Sequence, residues 1–319
     1  MRVVASTGRD DIAVVYILDL GSEKWIECVQ ALQPPVPIEE KWVLLVSTMF
    51  GCPVRCYMCD AGGFYSGKAS AEEIFAQIDF LVDMRFPDRH ISSKQFKIQF
   101  ARMGEPALNP AVLDVLDQLP RRYDAPGCMP SISSIAPHGS ESFFERLLEI
   151  KQAHYSGGSF QFQFSLHTTD LRLRDEIIPV RKWSFQQMAD YGERFYEPGD
   201  RKVTLNFALA QNNPLEAEVL RRYFDPDKFL VKITPLNPTH RARENCLASY
   251  IDPDVEHRTD PLVASLEGAG YQVIVSIGEV EENRIGSNCG QFLRRHLEAQ
   301  NSLADGYTYE LQPLQTEKP

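Results

Sequence analysis

The chain contains no run of 18 consecutive apolar residues, and its opening, Met1-Arg2-Val3-Val4-Ala5-Ser6-Thr7-Gly8-Arg9-Asp10, lacks the long apolar segment of a secretory signal. The expectation is a soluble, cytoplasmic protein with no membrane partner. Cysteine is scarce, seven in 319 residues, and the number is odd. Without an export signal that count argues for metal ligation or catalysis rather than a disulfide framework. Basic residues are in deficit, 33 Lys and Arg against 44 Asp and Glu, for a net charge of −11. Such a balance gives no chain-wide attraction for phosphates, and DNA is not an expected partner. Short basic clusters (Arg172, Arg174, Arg181 and Lys182; Arg241 and Arg243; Arg294 and Arg295) read as solvated faces. Internal repeats are absent, and 300–319 is polar and aperiodic, as expected of a flexible C-terminal tail.

Three of the few cysteines stand together in Gly51-Cys52-Pro53-Val54-Arg55-Cys56-Tyr57-Met58-Cys59. Iron–sulfur clusters are held by Cys thiolates, normally four. A compact group of three leaves one iron of a 4Fe-4S cluster without a protein ligand and open to a substrate. The alternatives are a zinc site or three buried core thiols. Zinc would require a fourth Cys or His close by, whereas the next His is His90 and the next Cys is Cys128.

A chain that is 43% hydrophobic can fill one large α/β barrel or two modest domains. Ile12 to Val29 reads as a β-hairpin turning at Gly21-Ser22, and Pro34, Pro35 and Pro37 mark a linker. From Trp42 onward β-rich runs (42–47, 96–101, 131–135, 160–166, 202–209, 229–234 and 272–277) alternate with helical stretches. The clearest helix carries a capping box, Ser70 with Glu73, and an apolar face of Ile74, Phe75, Ile78, Leu81 and Val82. Others fit 111–119, 141–151, 184–195, 215–224 and 261–269. Strand–helix alternation predicts a parallel sheet with right-handed crossovers. The expected architecture is α/β, a partial (β/α)6 TIM-like barrel over 41–299, preceded by a hairpin extension and linker over 1–40.

In parallel barrels chemistry sits on loops at the C-terminal ends of strands, and the cysteine run directly follows the first strand. Gly104-Glu105 follows the second strand, His167 the fourth and Asn237 the sixth. Glycine permits close backbone approach, and a carboxylate can accept hydrogen bonds from an ammonium group. Each feature also has a plain structural reading: a turn with a solvated Glu, a histidine bonded to backbone, an Asx turn.

Together these segments resemble the RlmN/Cfr-type RNA adenine methyltransferases of the radical S-adenosylmethionine (SAM) superfamily. The matching pieces are the hairpin, 46–52, 103–106, 131–137, Ser165-Leu166-His167, 234–238 and Asn288-Cys289-Gly290-Gln291. The resemblance implies that Cys52, Cys56 and Cys59 hold the 4Fe-4S cluster and that the open iron chelates SAM. It further implies that Gly104, Glu105, Ser131, Ser133, Ser165, His167 and Asn237 line the SAM pocket. Cys289 would receive a methyl group from one SAM, and the adenosyl radical from a second would take a hydrogen from it. A thiolate is a competent methyl acceptor. A reductant such as flavodoxin or ferredoxin is the implied partner.

The pattern breaks at one catalytic position. The family's second cysteine, which helps release product from the covalent protein–RNA intermediate, falls seven residues before the first cluster ligand, and here that residue is Leu45. Leucine can neither take a proton nor resolve an adduct. The hairpin also follows only about a dozen residues, where the rRNA and tRNA enzymes carry a helical RNA-holding domain. Cys28, Cys128 and Cys246 are spare thiols, Cys246 the best placed as a substitute. The leading expectation is a radical SAM methyltransferase acting on a different substrate, whether RNA, peptide or small molecule. The alternatives are a non-methylating radical SAM enzyme that abstracts hydrogen and a SAM- or RNA-binding protein without turnover.

Overall fold

The computed structural model describes residues 1–22, 24–252, 260–278, 280–287, 309–310 and 312–313. In chain order the elements are β1 (Arg2–Arg9), β2 (Ala13–Asp19), β3 (Trp25–Ala31), β4 (Lys41–Val46), β5 (Met49–Gly51), β6 (Tyr65–Lys68), α1 (Ala71–Arg85), β7 (Gln95–Phe100) and α2 (Ala111–Arg122). They continue with β8 (Cys128–Ser134), α3 (Glu141–His154), β9 (Gln161–Ser165), α4 (Leu171–Ile177), α5 (Phe185–Phe195), β10 (Val203–Leu209), α6 (Ala217–Arg221) and β11 (Phe229–Pro235). α7 (His240–Glu244), α8 (Pro261–Gly268), β12 (Val273–Val275), α9 (Val280–Ile285) and β13 (Gln312–Pro313) follow. The described chain forms two compact units. One comprises Met1–Arg55, Asp60–Pro130 and Glu279–Pro319, the other Cys56–Cys59 and Ser131–Gly278.

In the first unit the strands lie in the order β7-β4-β3-β2-β1-β13. β2 and β3 form the expected hairpin, with Val15 opposite Val29. β3 pairs antiparallel with β4 (Val29 with Leu45), and β4 pairs parallel with β7 (Leu45 with Gln99). The hairpin therefore extends the parallel strands sideways. Four strands were not foreseen: β1, the two-residue β13 that pairs with it at Ala5 and Ser6, and the small antiparallel pair β5 and β6. β13 falls inside the segment expected to be a loose tail, whose remainder lies mostly outside the described residues. Trp42 and Phe96, neighbours across β4 and β7, stack with centroids 5.1 Å apart, and Phe86 closes on Trp42 at 5.3 Å. α1 begins as its sequence dictates: the Ser70 hydroxyl accepts the Glu73 N–H (3.2 Å) and the Glu73 carboxylate accepts the Ser70 N–H (2.8 Å).

The second unit is a parallel sheet, β8-β9-β10-β11-β12. Apolar residues of α3, α5 and β9 bury an aromatic cluster in which Phe144 meets Trp183 at 4.6 Å, Tyr191 at 5.1 Å and Phe162 at 6.0 Å. Such rings supply most of a core's buried area. The helix expected over 215–224 is shorter, Ala217–Arg221, with Glu216 and Arg222 at its caps. α4 and α7, of seven and five residues, lie where the sequence predicts no element and are too short to show a helical period. Among the described residues, no helix is long and apolar enough to cross a membrane.

Candidate active site

The cysteine loop owes its shape to glycines and backbone hydrogen bonds. Gly51 has φ +82°, and a Cβ there would lie 1.8 Å from the Phe64 carbonyl oxygen. Gly62 lets the returning chain pass within contact of the Arg55 Cα, where a Cβ would lie at 2.6 Å. The Cys52 N–H donates to the carbonyls of Ala61 (2.7 Å) and Phe64 (3.1 Å). Burial and the nearby Glu105 carboxylate push the Cys52 thiol up to about 11, while N–H groups of Val54 and Arg55 directed at its sulfur pull the other way. Those donors favour a thiolate, the form a cluster ligand takes.

Cys56 and Cys59 belong to the second unit and are half-buried thiols. The Cys59 N–H donates to the Cys56 carbonyl (3.1 Å), closing a turn between them. Three contacts hold this turn from outside. The Tyr57 N–H donates to the Ile177 carbonyl (3.0 Å), Thr239 Oγ1 donates to the Met58 carbonyl (2.7 Å), and Asn245 Nδ2 donates to the Tyr57 carbonyl (3.0 Å). Thr239 is also the N-cap of α7, accepting the Ala242 N–H at 2.9 Å. Sequence reading missed Thr239 and Asn245; the only available signal was the cap position of Thr239 ahead of a short helix. Among the described residues no three His, Cys, Asp or Glu side chains form a closed metal-binding group. The fit of a cluster therefore rests on the thiol donor set, its spacing and the N–H groups at Cys52.

Gly104 lies where β7 has ended, with φ +104°. A Cβ there would meet Thr48 Oγ1 at 2.6 Å and the Met49 side chain at 2.7 Å, so only glycine fits the crossing. The preceding Met103 carbonyl accepts the N–H groups of Thr48 (2.8 Å) and Met49 (3.2 Å). Asn109 fastens the same corner by donating to the carbonyls of Thr48 and Ala69, both at 2.7 Å. Glu105 is 5% exposed, and its carboxylate accepts the Ala107 N–H at 3.0 Å. In the first unit the loop after β4 and the loop after β7 are thus one bonded assembly, with Cys52 and Glu105 in electrostatic contact.

In the second unit Ser131 and Ser133 share one face of β8, and Gln163 Nε2 reaches both hydroxyls, at 3.5 and 3.0 Å. Ser165 ends β9 opposite Asn206. His167 follows at φ +66°, and its Nδ1 accepts the Ala208 N–H (3.1 Å), which places the neutral ring's proton on Nε2. Burial, with the Arg174 guanidinium nearby, lowers its pKa to about 4. Arg174 is itself buried, donates to the Trp183 carbonyl (3.1 Å), and is pulled down to about 10 by desolvation. Asn237 is half-buried, and its carbonyl accepts the Thr239 N–H (2.8 Å), so this loop runs straight into the cap that supports Met58.

The remaining thiols differ in surroundings. Cys28 is wholly buried on β3 with its pKa raised by desolvation, and burial pushes Cys128 up to about 12. Cys246 is exposed and directly follows Asn245. Leu45 is 7% exposed within β4. Cys289 and its neighbours Asn288, Gly290 and Gln291 lie outside the described residues.

The fold is that of a radical SAM methyltransferase: a crystal structure of such an enzyme from Sphaerobacter thermophilus superposes with a TM-score of 0.67, covering 91% of this chain and 80% of that one at 20% identity. Its sequence relatives are RlmN-type enzymes. A probable dual-specificity RNA methyltransferase RlmN of Synechococcus sp. (strain RCC307) is 26% identical over 266 residues, 82% of this chain and 72% of the relative. The dual-specificity RNA methyltransferase RlmN of Sulfurimonas denitrificans is 23% identical over 313 residues, covering 88% of this chain and 81% of the relative. No family model matches the chain. The chain is thus similar in sequence to RlmN-type RNA methyltransferases and shares the fold of a radical SAM methyltransferase.

Proposed function

We propose that the protein is a radical SAM methyltransferase with Cys289 as methyl carrier, acting on a substrate other than the usual ribosomal adenine. The observation that carries this reading is the coincidence of a three-cysteine run after β4 with a glycine-only crossing and buried Glu105 after β7, in a chain whose relatives are named RNA methyltransferases. Cys52, Cys56 and Cys59 would hold a 4Fe-4S cluster, which supplies the electron that cleaves SAM to a 5′-deoxyadenosyl radical. Glu105 would accept hydrogen bonds from the SAM ammonium, and Gly104 lets its loop cross the Thr48–Met49 corner so that Glu105 follows directly. Ser131 and Ser133, oriented by Gln163, offer hydroxyls; Ser165 and neutral His167 offer further donors, and Asn237 an amide for the nucleoside. Flavodoxin or ferredoxin is the proposed reductant, and the cytoplasm the proposed compartment.

Leu45 favours a second reading, in which the radical abstracts hydrogen and no methyl is transferred. The products separate the two. Loading a thiol with methyl must yield S-adenosylhomocysteine, whereas hydrogen abstraction alone yields 5′-deoxyadenosine. Anaerobic turnover with both products quantified is expected to give both, and Cys56→Ala is expected to abolish 5′-deoxyadenosine. Formation of 5′-deoxyadenosine without S-adenosylhomocysteine would remove methyl loading. If RNA is the substrate, methylation of total RNA by labelled SAM identifies it, with peptide and small-molecule fractions as the other arms.

A further inference from the structure

Arg102 ends the crossing from β7 into the Met103-Gly104-Glu105 loop, and its surroundings are unusual for a cation. Its guanidinium is ion-paired to Glu27 of β3 at 2.6 and 2.9 Å, with both side chains 0% exposed. The third nitrogen of the fork, Nη1, donates to the carbonyls of Gly286 (3.0 Å) and Ser287 (2.9 Å). These carbonyls close the end of α9, where the N–H groups of Gly286 and Ser287 both turn back to the Glu282 carbonyl, at 2.8 and 3.1 Å. Helix-end carbonyls lack intrahelical partners and need outside donors. Gly286 and Ser287 stand three and two positions before Cys289 in the sequence.

Stability alone is a poor reason for such an arrangement, because a buried ion pair is often replaceable by apolar residues without loss. What an apolar pair cannot do is grip two carbonyls. The planar guanidinium bonds a carboxylate along one edge and offers the remaining nitrogen to a second partner, which an ammonium point charge does not reproduce. We propose that Arg102, aligned by Glu27, is a positioning residue that anchors the chain at Gly286 and Ser287, the described residues nearest in sequence to Cys289. Gly104 and Glu105 lie two and three positions after Arg102. One side chain thereby ties the proposed SAM-binding loop to the chain that delivers the proposed methyl carrier. The consequence for methyl transfer rests on the proposed function; the anchoring does not.

The test separates grip from charge. Arg102→Met alone strands a buried carboxylate and can unfold the protein, so the informative variants are the double variant Glu27→Leu/Arg102→Met and the single variant Arg102→Lys. Hydrogen–deuterium exchange of peptides covering 280–287 is read with thermal melting and with the methyl occupancy of Cys289 after SAM addition. The double variant is expected to melt as the parent does, yet exchange about tenfold or more faster at 286–287, as loss of charge-assisted hydrogen bonds implies. Arg102→Lys is expected to show the same faster exchange, and in both variants the methyl occupancy of Cys289 falls about tenfold. Parental exchange in the double variant would overturn the anchor, and full restoration of slow exchange by lysine would overturn its dependence on the guanidinium fork. A parent protein that never carries methyl at Cys289 would instead refute the proposed function, and exchange alone would still decide the role of Arg102.

Discussion

At position 104 a single hydrogen atom decides the geometry of a loop. With φ at +104° and Thr48 Oγ1 2.6 Å from where a Cβ would stand, Gly104→Ala is both strained and obstructed. Backbone strain of this kind costs about 1–3 kcal/mol. The variant is expected to lose roughly that much stability in urea titration and to bind SAM weakly, because relief requires the Thr48–Met49 corner to move. His167 gives a pH-dependent prediction. Its folded pKa lies near 4 against 6.5 for the free side chain, so the unfolded state binds the extra proton between those values. Stability from the buried neutral ring is present above pH 6.5 and is lost as pH falls toward 4. At 1.36 kcal/mol per pKa unit the full effect is about 3 kcal/mol. His167→Gln should flatten that part of the melting-temperature profile relative to the parent; parallel profiles would show that the ring is not held neutral. The position of Gly104, Glu105 and His167 just after strand ends was legible in the sequence. Gln163, Arg102 and Asn109 were not, since their partners are 30, 75 and 61 residues away.

Elements show the same division between local and distant causes. The capping box of α1 is written in four residues and appears in the structure with both reciprocal bonds. Ser70→Ala is expected to cost about 1 kcal/mol, measurable by chemical denaturation, with little effect on SAM chemistry. α7 is the opposite case. Its five residues carry no readable period, yet Thr239 caps it and holds the Met58 carbonyl, and Asn245 past its end holds the Tyr57 carbonyl. Thr239→Val, which keeps the shape and removes both bonds, should lower stability by about 1–2 kcal/mol. It should also reduce the iron retained after anaerobic reconstitution. Unchanged iron content would mean that the cysteine turn needs no support from α7. The overlong expectation for α6 followed apolar residues on to Phe224, whereas the helix ends at Arg221.

For the whole molecule, alternation of β-rich and helical stretches was enough to foresee parallel strands carrying their polar residues at strand ends. It was not enough to foresee that the chain forms two units, with Cys52 in one and Cys56 and Cys59 in the other. Periodicity reports which face of an element is buried, whereas unit boundaries depend on contacts between residues far apart in sequence. The chain is similar to RlmN-type relatives at 23–26% identity, and Leu45, where the resemblance would put the family's second cysteine, is buried in β4. The account stands or falls on what Cys289 does. Anaerobically reconstituted protein, incubated with SAM and a reductant, digested and analysed by mass spectrometry, should show a methyl group on the peptide containing Cys289, absent from a Cys289→Ser control. Unmodified Cys289 in protein that demonstrably cleaves SAM would contradict it.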